Sequence, residues 1–245
     1  MPRHDLVHLL PTTRAVHRAL LAEIESLTEQ DMRRATLLPG WTVAHVLSHL
    51  ARNADGQRGM LEGALRGEIV AQYPNGPDGR AADIEAGAGR TAAQVRADVR
   101  ASTEALERVW DRLSGEQWDA PTAPVAGDRP AWTSVAARRR EVEIHRVDLD
   151  LDYRPSQWPV AFVVPLLPML AEPERLGPRL PAGVTVHLSA DDGRGRWAAG
   201  SADDTGAEPV ALSGPTWALT AWLLGRTEPA RWALRGDPPE LTPWA

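Results

Sequence analysis

Glu141 and His145 stand four residues apart in the stretch Arg138 to Asp150. On a helix that spacing puts a carboxylate and an imidazole one turn apart on one face, where both can reach the same metal ion. Continuing the face by helical steps adds Ser134, Arg138, Asp148 and Asp152, all polar, while Val135, Val142, Ile144, Val147 and Leu151 fall off the stripe and can be buried. Two readings follow. The stripe is a solvated helix face, as polar faces ordinarily are, or it is one edge of a metal site that takes a third ligand from elsewhere. His49 is the candidate third ligand. It lies on a second helix, whose Val43, Val46, Leu47, Leu50 and Ala54 form an apolar side, with His45 four residues before it. Two imidazoles and one carboxylate suit zinc with a fourth position open to water or substrate. They would also hold iron or nickel.

Composition narrows the chemistry. The chain has 245 residues, 43% hydrophobic and 24% charged, the balance of a soluble globular protein. A net charge of −6 argues against a general nucleic-acid binder. No stretch is long and apolar enough to span a bilayer, and no signal-peptide core follows the N-terminus, so the expected setting is the cytoplasm, with no membrane partner and a monomeric chain. There is no cysteine, which excludes disulfides, thiolate metal sites and a cysteine nucleophile. Any thiol in the reaction must come from a cofactor. All 27 basic residues are arginine, which removes Schiff-base lysines and the P-loop lysine. Arginine in place of lysine, with abundant Ala, Gly and Pro, suggests a GC-rich genome.

Periodicity supplies the elements that would position these residues. Residues 5–27 read as an amphipathic helix with Leu6, Leu9, Leu10, Val16, Leu20, Leu21 and Ile24 at helical spacing. His4, His8 and His17 in or beside it read as surface or packing residues. Thr42 is a suitable N-cap for the His49 helix. Residues 71–90, rich in Gly and Pro, read as a long loop with a short helical piece near Ala81–Ala86. Thr91 to Leu113 and the segment from Trp132 onward complete four long helices, the pattern of a bundle. After Tyr153 to Pro159 the texture changes. Ala161–Leu170 is apolar and helix-like. Val184–Leu188, Arg196–Ala199, Pro209–Leu212 and Trp232–Gly236 are strand candidates, and a helix runs from Pro215 to Leu224. The expected class is α+β, with a four-helix bundle over 1–154 and a small α/β domain over 155–245. His187 on a strand reads as structural, and the tryptophans as packing.

Pro39-Gly40-Trp41-Thr42-Val43-Ala44-His45-Val46-Leu47-Ser48-His49-Leu50, followed by Asn53-Ala54, resembles the first signature of the mycothiol-dependent maleylpyruvate isomerase family. Arg140-Glu141-Val142-Glu143-Ile144-His145 with Val147-Asp148-Leu149 resembles its second. Weaker matches continue at Leu223–Arg226 and Pro239–Trp244. The resemblance implies a DinB-like bundle joined to a small C-terminal domain, with His49, Glu141 and His145 as zinc ligands. It also implies site roles for Arg226, Arg80 and Asp148, with Arg226 and Asp148 facing the cofactor. For Asp148 the alternative is a surface carboxylate paired with Arg146 or a neighbour. His45 matches no ligand role and reads as a packing histidine.

The implied cofactors are Zn2+ or another divalent metal and mycothiol; the partners are that low-molecular-weight thiol and a small-molecule electrophile. A metal lowers the pKa of a bound thiol as it does that of water. The thiolate is a soft nucleophile able to add to an activated double bond or displace a leaving group. In the isomerase, addition to a cis-enedione-like acid permits rotation before elimination, and an arginine such as Arg226 would hold the substrate carboxylate. The leading expectation is an isomerase or thiol S-transferase. Zinc-water hydrolysis of a thiol conjugate and a non-catalytic metal- or ligand-binding module are the alternatives.

Overall fold

The computed structural model describes residues 5–125, 127–200 and 208–243. His4 and Trp244 lie outside them. The chain divides into two compact units, Met1–Leu151 and Asp152–Ala245.

The first unit is a bundle of four long helices: α1 (Leu6–Ile24), α3 (Val43–Arg66), α5 (Ala92–Arg112) and α6 (Thr133–Asp148). A single-turn α2 (Glu29–Met32) and a 13-residue α4 (Gly76–Ala88) lie between them, and β1 (Pro121–Thr122) pairs with β2 (Arg129–Pro130) before α6. Each boundary has a local cause. Thr91 caps α5 with a hydroxyl that accepts from the Gln94 N–H. Gly67 ends α3 in the left-handed region at φ 72°.

The bundle interior consists of two apolar clusters. One gathers Leu20, Ile24, Val43, Leu47, Leu50, Val95, Val99, Val142 and Leu149. The other gathers Leu9, Ala54, Leu61, Leu106, Trp110 and Val135. The order in which each helix meets them gives its direction: α1 and α6 run one way, α3 and α5 the other. α4 carries the chain back along α3 so that α5 can run parallel to it. Where each helix passes from one cluster to the other it carries buried polar residues: Thr13 and His17 on α1, Asn53 on α3, Ser102 and Thr103 on α5, Arg138 on α6.

α4 contains the short helical piece expected near Ala81–Ala86 and extends it through much of what was expected to be loop. Its sequence conceals its full length because only Ile84 and Gly87 are buried, so there is no apolar stripe to read. Pro77 sits in the first turn, where a missing N–H costs nothing. The helix lies close on α3: a Cβ on Gly87 would come 2.6 Å from Ser48 Oγ.

The second unit holds a three-stranded sheet with β3 (Thr185–Ala190) in the centre, antiparallel to β4 (Arg196–Gly200) and parallel to β5 (Val210–Gly214). α7 (Val160–Leu170), single-turn α8 (Pro173–Leu176) and α9 (Thr216–Leu223) complete it. Val186, Leu188 and Leu212 point into its core with Leu219 and Trp222. His187 lies on the exposed side of β3. The expected strand at Trp232–Gly236 is not formed. Residues Glu228–Ala233 are a 3-10 helix, and Arg235 makes a single bridge to Ser213. Gly236 at φ 95° favours a turn over a continued ladder. The two units together are α+β. Among the described residues no helix is long and apolar enough to cross a membrane.

Candidate metal centre

α3 and α6 pack against each other and bring His49, Glu141 and His145 together. His49 Nε2 lies 3.0 Å from Glu141 Oε2 and 3.0 Å from His145 Nε2. His145 Nε2 is 3.7 Å from the same Glu141 oxygen. The polar stripe of α6 is therefore not a solvated face. Ser134, Arg138 and Asp148 on it are buried, and the Glu141 side chain keeps 31% of its exposure.

Each ligand candidate is held by a neighbour. His145 Nδ1–H donates to Asp148 Oδ2 at 2.7 Å, which leaves the Nε2 lone pair turned toward Glu141 and His49. Asp148 is fully buried and bound to His145, so it is not the surface carboxylate of the alternative reading. Its carboxylate fixes the tautomer and ring direction of His145, as carboxylates behind metal-binding histidines do. Trp41 packs against the His49 ring at 5.7 Å between centroids. His45, one turn earlier, turns away: its Nδ1 accepts from Thr42 at the helix start, and Nε2 faces Glu85 at 3.3 Å.

Arg80 on α4 reaches His49 Nδ1 with Nη2 at 2.9 Å. A guanidinium can only donate, so Nδ1 is the acceptor and the His49 proton sits on Nε2, between Glu141 and His145. The Arg80 guanidinium also covers the Tyr73 ring at 5.3 Å, and its Nε is buried with no hydrogen-bond partner. Arg226 belongs to the second unit. It follows Gly225 beyond α9, and its Nη1 donates to the Leu224 carbonyl at 2.6 Å.

The electrostatics suit a cation. Burial lowers the His49 pKa to about 4, against the pull of Glu141, so the ring is neutral and able to ligate near pH 7. Burial would raise the Glu141 carboxyl, but the His49 hydrogen bond and the charges of His145, His49 and Arg138 outweigh it and hold it at about 2. A tetrahedral ion bound at roughly 2.0–2.2 Å needs ligand atoms about 3.3–3.6 Å apart. The observed gaps of 3.0, 3.0 and 3.7 Å bracket that range. The donor set therefore fits a divalent metal. One contact must change for it: a neutral histidine ligating through Nε2 carries its proton on Nδ1, where it cannot accept from Arg80.

Reading residues alone left His17 among surface or packing histidines and gave Arg138 only a place on the stripe. His17 is buried, stacked on Trp110 at 5.6 Å and bonded to Glu107 and Arg138. The available signal was Arg138 itself, one turn before Glu141 on its face.

A two-unit chain with a four-helix bundle and a paired-helix His/Glu/His cluster is the class defined by this geometry. The sequence profile of the mycothiol maleylpyruvate isomerase N-terminal domain matches residues 13–150, and the chain belongs to that family. Two solved structures share its fold: the mycothiol-dependent maleylpyruvate isomerase, at TM-score 0.87, and a histidine-to-alanine variant of it, at 0.86. Each is 22% identical, with 100% of this chain and 98% of the other covered. At that identity the likeness establishes the fold. No curated protein matches the chain in sequence.

Proposed function

We propose that the chain is a mycothiol-dependent enzyme with a divalent metal, most simply zinc, held by His49, Glu141 and His145, and that it acts on an electrophilic small molecule as an isomerase or S-transferase. The observation that carries this reading is the convergence of two imidazole nitrogens and one carboxylate oxygen from α3 and α6, within a chain that has no cysteine of its own. When bound, the metal would lower the pKa of the mycothiol thiol, making a nucleophile available at neutral pH.

The chain's own residues account for the rest. Burial keeps His49 neutral, and Asp148 keeps the His145 lone pair pointed at the centre. Once its contact with His49 Nδ1 is given up, Arg80 is a guanidinium beside the centre with open donors for a carboxylate. The family resemblance gives Arg226 a similar role toward the acidic substrate or the polar groups of mycothiol. Such a reaction belongs in a reducing compartment, the cytoplasm, and needs no partner chain.

The test is a panel of electrophiles, maleylpyruvate among them, assayed with and without mycothiol on metal-loaded protein. Turnover that requires mycothiol, and falls in Arg226→Ala with metal content unchanged, is expected. Turnover without thiol would replace this reading with hydrolysis. Absence of both turnover and thiol binding would reduce the chain to a binding module.

A further inference from the structure

Between the two apolar clusters of the bundle, polar side chains from all four long helices join in one hydrogen-bonded chain with Arg138 at its hub. Arg138 is completely buried. Its Nη1 donates to the Leu50 carbonyl at 2.8 Å and to Asn53 Oδ1 at 2.9 Å, both on α3. Its Nε donates to His17 Nε2 at 3.2 Å on α1, and His17 Nδ1 then donates to Glu107 Oε1 at 2.6 Å on α5.

The anchor points coincide with the metal centre in sequence and in space. Leu50 follows His49, Asn53 is one turn beyond it, and Arg138 is one turn before Glu141 on the same face. The guanidinium thus fastens α6 to α3 where each helix presents its ligands. Apolar packing alone leaves an interaxial distance anywhere in roughly 8–10 Å, set by the side chains in contact. Metal–ligand bonds tolerate only about 0.2 Å. A directional contact has to close that difference; a rigid planar fork donating along three directions does so where a leucine cannot, and more tightly than the flexible ammonium of a lysine. Stability alone does not explain the choice. A buried guanidinium is costly to desolvate, and here Nη2 has no hydrogen-bond partner.

From these contacts the geometry points to Arg138 as the positioning residue that sets the α3–α6 spacing at the His49, Glu141 and His145 cluster. This rests on the reading of those three side chains as metal ligands.

The test compares wild type, Arg138→Met, Arg138→Lys and Leu61→Ala. Leu61 is a buried α3 residue of the other cluster and controls for lost stability. Zinc affinity is measured by competition with a chromophoric chelator, site geometry by the cobalt(II) d–d spectrum. Crystal structures of the metal-free proteins give the His49 Nε2 to Glu141 Oε2 gap, 3.0 Å here. Arg138→Met should bind zinc about 10–100-fold more weakly, the range for lost support behind a ligand, with a changed cobalt spectrum and a wider gap. Arg138→Lys should fall between it and wild type, and Leu61→Ala should keep wild-type affinity and spectrum. Wild-type affinity and an unchanged gap in Arg138→Met overturn the inference, as does an equal loss of affinity in Leu61→Ala. If Arg138→Met does not fold, Arg138→Lys and Asn53→Ala, which removes one anchor, carry the same comparison. Should wild type bind no zinc, the ligand reading fails. The gap alone then decides for Arg138: widened supports the brace, unchanged overturns it.

Discussion

The interiors of the two units are built on different terms. In the bundle, His17, His49, Asn53, Gln57, Arg138, Glu143 and Asp148 are buried beside the apolar clusters. In the second unit, the buried polar side chains among the described residues are Arg179, Thr216 and Thr220, and the core is Val186, Leu188, Leu212, Leu219 and Trp222. An apolar core is held by volume and tolerates small shifts. A polar interior is directional: each group must find its partner, and the positions of the groups become fixed as a result. The bundle accepts the desolvation cost of its polar layer beside the place where His49, Glu141 and His145 converge. The second unit, which carries none of the three ligand candidates, is packed as an ordinary core.

The sharpest way to break this contrast is to remove a ligand. His49→Ala or His145→Ala should lower metal affinity by several orders of magnitude while the far-ultraviolet circular dichroism spectrum stays helical, because both apolar clusters remain. Full metal occupancy in both variants, by elemental analysis of protein purified without a nickel column, would refute the ligand set.

The opposite result is expected from the second unit. Trp222 is buried there and donates from Nε1 to the Pro239 carbonyl at 3.0 Å. Trp222→Ala should destabilise that unit by about 3–5 kcal/mol, read by denaturant unfolding, with metal affinity unchanged. A metal site lost along with Trp222 would show that the two interiors are not independent.

A pH titration separates the two cores more gently. Burial lowers the His17 pKa from 6.5 to about 4, the Glu107 hydrogen bond only partly restoring it and the Arg138 charge lowering it again. Between those values the unfolded chain binds a proton that the folded chain refuses. The His17 contribution is therefore fully present above about pH 6.5 and is lost as pH falls toward 4, by about 3 kcal/mol in all. His17→Phe should flatten this part of the stability profile for the bundle. Identical profiles for wild type and variant would contradict the neutral, buried assignment.

The smallest effect is expected at Arg80. Its hydrogen bond to His49 Nδ1 and metal ligation through Nε2 are alternatives, so deleting the guanidinium removes a competitor. Arg80→Ala should bind zinc more tightly, by roughly fivefold if one net hydrogen bond is released. Weaker binding in calorimetric titrations would show that Arg80 supports the metal instead.

Much of this was legible before the fold. Periodicity located the four long helices, spacing singled out Glu141 and His145, and the family resemblance matched His49 to them; the structure brings the three to within 3.7 Å of one another. Of α4 only the short piece near Ala81–Ala86 was legible, because a helix that docks through Ile84 and Gly87 leaves no hydrophobic period. The strand expected at Trp232–Gly236 failed for a related reason: a short apolar run does not by itself show whether a neighbouring strand is in register to receive it.

The sequence by itself determined the kinds of chemistry open to the chain. It has no thiol and no lysine, and it carries a helical polar stripe with a carboxylate and an imidazole one turn apart. Only the tertiary structure decided which way that stripe faces. A helix carries its polar and apolar sides wherever it goes, but burial belongs to the neighbours it meets. α3 happens to present His49, Leu50 and Asn53 to the polar side of α6, so Arg138, Glu141 and His145 turn inward and find partners there. No periodicity within one segment could have settled that, because the deciding partner lies roughly ninety residues away along the chain.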